Sequence, residues 1–242
     1  MNTKDHYEHH LAHFYSWMAG DFETKSHEFE KLLNQLHIRP KHNKQALDLG
    51  AGHGIQSVAL GQLGFEVIAV DFNEQLLQEL RNRSEGLPIK TVLGDIKEAA
   101  QSKAYQPEVI ACCGDTLTHL ENKAEIHQLI GDCNALLSKG GHLILSFRDY
   151  SNELKGEQRF IPVKSDDTRI LTCLLEYQNQ SVRVTDLLHE KTESGWIQKV
   201  SSYQKVRVAP AEVEERIKEL GLAITHSELM RGMHTLVAVK PG

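Results

Sequence analysis

The chain has 242 residues, of which 40% are hydrophobic and 25% are charged, and its formal net charge at pH 7 is -6. A chain of this length can bury one good core, so we expect a single domain over residues 1–242. The acidic balance and the lack of a Lys/Arg run argue against a nucleic-acid partner, because affinity for nucleic acid comes largely from neutralising phosphates.

The N-terminal part of the chain, residues 1–43, begins with a polar stretch and continues with a helical pattern. Its first ten residues, MNTKDHYEHH, lack the apolar core of a signal peptide. No apolar run in the chain reaches the roughly 18 residues that a membrane helix needs. We therefore expect a cytoplasmic protein without membrane contact. We predict that residues 1–43 form a helical lid, although a plain hydrophobic face would use the same aromatic residues: Tyr7, Phe14, Tyr15 and Trp17.

Residues 44–150 alternate short apolar runs with helical patterns. The predicted strands are QALDLG, FEVIAVD, PIKTVLGD, EVIACCGD and HLILSF. The predicted helices between them are GIQSVALGQLG, NEQLLQELRNR and NKAEIHQLIGDCNALLSKGG, and Asn73 is placed to cap the second of these. Because the strands are apolar throughout, this βαβα order predicts a parallel sheet covered on both faces.

The pattern changes after Phe147. Four runs between residues 151 and 208 are separated by the turn signals SDD, NQ and ESG, which predicts an antiparallel meander of three or four strands. The helical segment AEVEERIKELG follows Pro210, and LAITHSEL and HTLVAVK then form a predicted hairpin. We interpret residues 44–150 and 209–242 as one core, and residues 151–208 as an insertion into it that would cover a substrate-binding site.

The segment ALDLGAGHGIQSVAL carries three glycines, Gly50, Gly52 and Gly54, between a predicted strand and a predicted helix. Such a turn brings backbone N–H groups and a helix N-terminus toward a ligand, although it can also simply close a βα unit. Asp71 ends the next strand about 20 residues later, where a carboxylate can accept both hydroxyls of a ribose. Ile55 stands where a dinucleotide-binding fingerprint has its third glycine, which argues against a dehydrogenase. The spacing therefore predicts an adenosine-type ligand.

With these motifs in place, the sequence resembles the class I S-adenosylmethionine-dependent methyltransferases. LDLGAGHG, VIAVDFN and LGDI are similar to the first three motifs of that family, and LAITHSEL and HTLVAVK to its last two strands. The resemblance implies a Rossmann-like, doubly wound α/β fold, with a seven-stranded sheet whose last strand is antiparallel. It also implies S-adenosyl-L-methionine as the cofactor.

The same resemblance assigns cofactor-binding residues. Asp48, Gly50 and Gly52 would surround the methionine part of the cofactor, and Asp71 would take the ribose. The adenine would lie between Asp95 and Ile96. Cys112 and Cys113 would approach the sulfonium through their backbone, while their side chains are expected to be a buried, inert pair. The complete predicted set is Asp48, Gly50, Ala51, Gly52, Gly54, Asp71, Phe72, Asp95, Ile96 and Cys112.

Three segments are similar to those of glycine and sarcosine N-methyltransferases: WMAGDFETKSHEFEKLL, GDTLTHL and LILSFRDYS. The resemblance implies that His119 matches an active-site histidine, and that Arg148 matches the arginine that holds the substrate carboxylate. Asp115 stands where that group has asparagine. The alternatives are a turn cap for Asp115, a packed histidine for His119, and a simple ion pair with Asp149 or an insertion glutamate for Arg148.

These residues suit transfer of an activated methyl group, which needs the acceptor lone pair aligned opposite the sulfur. Asp115 or His119 would receive the proton of an amine, or Asp115 would hold an ammonium or hydroxyl group. Arg148 would clamp a carboxylate with two hydrogen bonds. We therefore predict an enzyme that methylates a small-molecule amine bearing a carboxylate or another anionic group. The alternatives are O-methylation of a small metabolite and a non-catalytic protein that binds the cofactor.

Two further expectations concern metals and assembly. The four cysteines, Cys112, Cys113, Cys133 and Cys173, show no CxxC spacing, so we expect neither a zinc site nor a disulfide framework. His6, His9, His10 and His13 would share one face of a helix, which suits a metal geometrically. Methyl transfer from this cofactor needs no metal, and an exposed polar helix explains the histidines equally well, so we predict no metal. Assembly as a homodimer is left open.

Overall fold

The computed structural model describes residues 3–242 and contains two separate β-sheets. Seven strands form the larger sheet: β1 Gln45–Leu49, β2 Glu66–Asp71, β3 Ile89–Leu93, β4 Val109–Cys112, β5 His142–Phe147, β10 Ala223–Met230 and β11 Met233–Val239. Four strands form the smaller one: β6 Phe160–Ser165, β7 Arg169–Tyr177, β8 Ser181–Thr192 and β9 Gly195–Val206.

The larger sheet has the strand order β10-β11-β5-β4-β1-β2-β3. Strands β1 to β5 run parallel to one another, whereas β11 is antiparallel to both β5 and β10. Its central strands β1 and β4 are almost wholly buried, as their unbroken apolar runs predict. The predicted Rossmann-like sheet with an antiparallel last strand is therefore confirmed.

Eight α-helices accompany the sheets within residues 3–242. They are α1 Thr3–His9, α2 Tyr15–Ala19, α3 Phe22–Gln35, α4 Ile55–Gln62, α5 Glu74–Arg83, α6 Ile96–Ala100, α7 Lys123–Leu136 and α8 Pro210–Glu219. Asn73 caps α5 as predicted, since its side chain accepts the N–H of Leu76 at 3.0 Å. The sequence analysis did not predict the short helix α6, and Gly20, at a φ of 88°, separates α2 from α3.

The smaller sheet is the predicted insertion and contains four antiparallel strands. Its inner face alternates along β8, where Val182, Val184, Asp186 and Leu188 are buried. The N-terminal segment packs on this inner face, and Leu11 and Phe14 share a hydrophobic cluster with Leu171 and Leu188. The start of the chain and the insertion therefore lie together. Within residues 3–242, no helix has the length and apolar character required to cross a membrane.

Candidate active site

A cavity of about 1030 Å³ lies at the carboxyl ends of β1 to β4. The loops that follow parallel strands meet at this edge of the sheet, which is where ligands of open α/β sheets bind. The N-terminal segment and β9 close other parts of the cavity. Of the residues predicted from the sequence to form the site, seven line it: Gly50, Gly52, Asp71, Phe72, Asp95, Ile96 and His119.

Asp71 and the glycine turn form one hydrogen-bonded unit. The N–H of Gly52 donates to Asp71 Oδ2 and the N–H of Asn73 donates to Oδ1, each at 2.8 Å. A carboxylate has about four lone-pair positions, so both oxygens can still accept a ligand hydroxyl. Burial raises the pKa of Asp71 above its ordinary value, against the opposing effect of these N–H groups. Asp71 is thus held in a fixed orientation at the cavity wall.

Gly50 is a point of close approach within this turn. Its φ is +77°, and a Cβ on it would lie 2.4 Å from the Cγ2 atom of Thr116. Any side chain here would therefore have to displace Thr116, another residue that lines the cavity. The local chain geometry requires glycine at this position.

Asp48, Ala51 and Gly54 lie behind the cavity wall and do not line it. Asp48 is buried on β1 and accepts a hydrogen bond from Ser57 Oγ at 2.6 Å, and burial raises its pKa to about 7. The N–H of Ala51 donates to the carbonyl of Val70. A Cβ on Gly54 would lie 2.2 Å from Leu80 Cδ1, so this glycine permits α4 to pack against α5. These three residues support the turn from behind, and their predicted contact with the cofactor stays a prediction.

An apolar wall follows β3. Leu93 lines the cavity and is 57% exposed, an unusual surface position for a leucine in a strand. Ile96 lies on the same side, and Asp95 caps α6 by accepting the N–H of Lys97 at 2.7 Å. Phe72 forms an edge-to-face contact with Tyr7, with ring centroids 5.3 Å apart. Flat apolar ligands such as a purine base suit a wall of this kind.

Cys112 and Cys113, whose backbone was predicted to approach the sulfonium, do not line the cavity. Both are buried in the cores on either side of the sheet, and burial raises the pKa of Cys113 to about 12 and that of Cys112 well above its ordinary value. Gly114 and Thr116 take the lining position after β4. Strand β4 ends at Cys112, and Gly114 and Asp115 form the turn that follows it.

Asp115 is a buried carboxylate with four partners. Its Oδ1 accepts the N–H of Arg148 and the hydroxyl of Thr118, each at 2.9 Å. Its Oδ2 accepts the Tyr150 hydroxyl at 3.0 Å and forms an ion pair with Lys205. Burial alone would raise the pKa of Asp115, but Lys205 and the Arg148 N–H hold it below its ordinary value. Asp115 is therefore an ionised and fully engaged group, and it does not line the cavity.

Lys205 is the functional candidate that the sequence analysis missed. It lies on β9, its side chain is only 7% exposed, and it lines the cavity. Its Nζ is 5.7 Å from the ring centre of Tyr150 and 5.8 Å from that of Tyr203. The signal was present in the sequence, because Ser201, Tyr203 and Lys205 alternate onto one face of a strand, and a lysine on a buried face needs a partner.

His119 lines the cavity between two aromatic rings. It stacks on Tyr203 with centroids 5.5 Å apart, and its Nε2 lies 3.4 Å from the Tyr7 hydroxyl. Its Nδ1 is buried and has no hydrogen-bond partner among residues 3–242. Burial and the nearby charge of Lys205 lower the pKa of His119 well below its ordinary value. The imidazole is therefore neutral at neutral pH and carries one lone pair.

Two tyrosines of the N-terminal segment cover the cavity. Tyr7 and Tyr15 both line it, and burial raises the pKa of Tyr15 to about 12. Tyr15 rests edge-to-face on His53 of the glycine turn, with ring centroids 5.1 Å apart. Phe14 is buried against the insertion instead, and Trp17 donates from Nε1 to Asp166 Oδ2 at 2.5 Å. The four aromatic residues therefore divide into two that face the cavity and two that attach the segment to the insertion.

Arg148 does not line the cavity, so the cavity geometry offers no support for the predicted carboxylate clamp. Arg148 is exposed. Its Nη1 lies 3.4 Å from the point where a Cβ on Gly232 would be, in the turn between β10 and β11. Only its backbone reaches the site, through the N–H that donates to Asp115. The buried lysine that lines the cavity is Lys205.

The N-terminal histidines do not share one face. Helix α1 ends at His9, whose Nδ1 contacts the carbonyl of Asp5, while His13 is exposed. His6 is fully buried against the insertion, with its Nδ1 2.8 Å from Ser201 Oγ. His10 is also buried. Among residues 3–242, no group of three or more His, Cys, Asp or Glu side chains is arranged to hold a metal ion.

The amino-acid sequence is similar to those of known methyltransferases. Residues 46–141 match a family model described as a methyltransferase domain. Glycine N-methyltransferase of Oryctolagus cuniculus is 24% identical over 194 residues, which cover 72% of this chain and 65% of that protein. A ubiquinone biosynthesis O-methyltransferase of Proteus mirabilis (strain HI4320) is 27% identical over 105 residues, covering 43% of this chain and 41% of that protein. The chain thus spans less than two thirds of the length of these relatives.

The fold itself has solved counterparts. CalS10, an amino pentose methyltransferase of Micromonospora echinaspora with bound S-adenosylmethionine, matches with a TM-score of 0.74 at 16% identity. The match covers 92% of this chain and 93% of that one. Together with the domain match, this confirms the predicted resemblance to the class I S-adenosylmethionine-dependent methyltransferases.

Proposed function

We propose that this chain is an S-adenosylmethionine-dependent methyltransferase that acts on a small molecule, with an amine as the favoured acceptor. One observation carries the proposal. A single cavity joins Asp71 and the glycine turn at one end to His119 and Lys205 at the other. The first pair suits a nucleoside, and the second suits a polar acceptor. The match of residues 46–141 to a methyltransferase domain supports the same activity.

The cavity residues fit the cofactor. Asp71 offers free lone pairs on both carboxylate oxygens for two ribose hydroxyls, and its orientation is fixed by backbone N–H groups. Leu93 and Ile96 offer an apolar wall for the adenine. At about 1030 Å³, the cavity is at the upper end of ordinary ligand pockets, which leaves room for a small acceptor beside the cofactor.

S-adenosylmethionine supplies a methyl group that its sulfonium has already activated, so the chain has to align the acceptor and exclude water. Tyr7 and Tyr15 close the cavity with aromatic surface and keep their hydroxyl protons, because burial raises both of their pKa values. His119 is held between Tyr7 and Tyr203, so its lone pair has a fixed direction. These contacts would orient an acceptor for in-line attack.

His119 is the better candidate for the amine proton. Its pKa is lowered, so the ring is unprotonated at neutral pH and can accept a hydrogen bond from an acceptor N–H. Asp115, the other predicted proton acceptor, has both oxygens engaged and a pKa below the ordinary range. We therefore assign Asp115 the role of positioning Lys205 and the loop after β4.

O-methylation is the second candidate function. The O-methyltransferase relative of Proteus mirabilis favours it, and a neutral histidine beside a lysine would equally accept the proton of a hydroxyl group. A protein that binds the cofactor without catalysis is the third reading. The three differ in whether methyl transfer occurs and to which atom.

The test is a screen for conversion of S-adenosylmethionine to S-adenosylhomocysteine with a panel of amines, amino acids and phenols. We expect turnover with at least one amine. We also expect His119→Gln to lower kcat with cofactor affinity unchanged, whereas His189→Gln, which changes a partly exposed histidine on β8 that contacts Gln198, should leave both unchanged. Turnover with phenols alone would select O-methylation. Cofactor binding without any turnover would favour the non-catalytic reading.

A further inference from the structure

Lys205 is a cation that the fold has removed from water. Its side chain is 7% exposed and its only hydrogen-bond partner among residues 3–242 is Asp115. An ammonium group carries three N–H donors, so two of them have no partner within the described chain. Buried donors without partners are costly, and here they belong to a residue that lines the cavity. A ligand acceptor group is therefore the natural partner of the two remaining donors.

Asp115, the ion-pair partner of Lys205, cannot accept further hydrogen bonds from the ammonium group. Asp115 Oδ1 is occupied by Thr118 and by the N–H of Arg148, and Oδ2 is occupied by Tyr150 together with Lys205. Asp115 thus fixes the position of the ammonium group but leaves two of its three N–H donors without an acceptor. The rings of Tyr150 and Tyr203, within 6 Å of Nζ, limit access of water to the same charge. A hydrogen bond to such a fixed, desolvated cation is stronger than one to a surface lysine.

The acidic residues that line the cavity are bound to groups other than Lys205 or are exposed to solvent. Glu125 lies 3.3 Å from Lys97, Glu74 is paired with Arg81, and Glu8 lies 3.7 Å from Lys4. Asp71 accepts two backbone N–H groups, Asp95 caps α6, and Glu121 is exposed. These carboxylates therefore do not neutralise Lys205, whose closest negative charge is Asp115.

We propose that Lys205 determines acceptor specificity by binding a carboxylate, or another anionic oxygen group, of the acceptor molecule. This role rests on the proposed function, because it places the acceptor at the Lys205 end of the cavity. Lys205 thus has the carboxylate-binding role that the sequence analysis assigned to Arg148.

The experiment measures binding of paired probes to the protein loaded with S-adenosylhomocysteine, by ligand-observed NMR. The pairs are glycine with glycinamide, β-alanine with its amide, and benzoate with benzamide. Lys205→Met alone would leave Asp115 buried without its cation, so the main variant is Lys205→Met combined with Asp115→Asn, which keeps the site neutral. Lys199→Met is the matched control, because Lys199 lies on the same strand in an exposed ion pair with Glu190.

In the wild type and in Lys199→Met, we expect at least one carboxylate to bind about tenfold more tightly than its amide, the ratio expected for one charge-assisted hydrogen bond. In the double variant, the ratio should fall to about one. Equal binding of carboxylate and amide in the wild type, retention of the preference in the double variant, or no carboxylate binding at all would each overturn the role of Lys205. Failure of S-adenosylhomocysteine to bind would instead count against the proposed function, and the probe ratios would then be measured without it.

Discussion

Replacing Asp71 with alanine tests the cofactor end of the cavity most directly. The wild-type carboxylate would accept two ribose hydroxyls, and each charge-assisted hydrogen bond is worth about 1.5–3 kcal/mol. Even half of that total corresponds to tenfold or more in affinity, at about 1.4 kcal/mol per decade. We therefore expect Asp71→Ala to weaken S-adenosylmethionine binding at least tenfold, measured by calorimetry at neutral pH.

The same substitution also removes the acceptor of two backbone N–H groups, those of Gly52 and Asn73. Each N–H left without a partner costs about 1–3 kcal/mol, so the melting temperature should fall and circular dichroism must show that the variant is folded. Asp132→Ala is the control, since Asp132 is a carboxylate on α7 whose side chain accepts hydrogen bonds from Gln101 and Gln128 at the surface. Unchanged affinity in folded Asp71→Ala would refute the ribose assignment. Tighter binding of NAD than of S-adenosylmethionine by the wild type would refute the cofactor class.

The pH dependence of cofactor binding follows from the same residue. Ribose hydroxyls donate to the ionised carboxylate, and burial raises the pKa of Asp71. Binding is therefore complete above this raised pKa and is lost as the pH falls through it. The loss should begin at a higher pH than for an ordinary aspartate, and Asp71→Asn should show no such step.

Three further predictions concern other positions. Asp48 has a folded-state pKa of about 7, above the unfolded value of about 3.9, so its contribution to stability falls as the pH rises between these two values. The unfolding free energy of Asp48→Asn should therefore rise by about 2 kcal/mol relative to that of the wild type between about pH 5 and about pH 8. A difference that stays constant with pH in urea titrations would contradict this. Arg148→Ala should keep kcat/KM within about twofold, since its side chain lies outside the cavity; a larger loss for anionic acceptors alone would restore the clamp. Gly54→Ala should lower the melting temperature more than Gly86→Ala: both glycines have positive φ, but only the first would place a Cβ against Leu80, and equal losses would show that the packing relaxes freely.

The sequence predicted the sheet, and it identified Asp71 and the glycines that line one end of the cavity, because both depend on short-range patterns. Apolar runs bounded by glycines define β1 and β2, and Asp71 occupies the last position of β2, where its location hardly depends on the rest of the fold. Asp48 and Gly54 belong to the same motif but support it from behind. Motif membership alone therefore does not reveal which residues face a ligand.

The acceptor end was harder to predict because it depends on contacts between distant parts of the chain. Arg148 follows β5 directly, but its side chain turns toward Gly232 rather than the cavity. Lys205 comes from the insertion, and only its position on the buried face of β9 distinguishes it from the other lysines. Local patterns give the burial of such a residue, whereas its partner is fixed only once the insertion has docked.

The two ends of the cavity also differ in how the chain must come together to build them. Asp71 and Gly52 are 19 residues apart, whereas the Lys205–Asp115 pair closes a loop of 90 residues and the Tyr7–His119 contact one of 112. Longer loops cost more closure entropy and form later and more slowly. During refolding, amide protection should therefore appear around the glycine turn after β1 before it appears along β9. A chain caught between these stages would already have Asp71 in place while the Lys205 end of the cavity was still unformed.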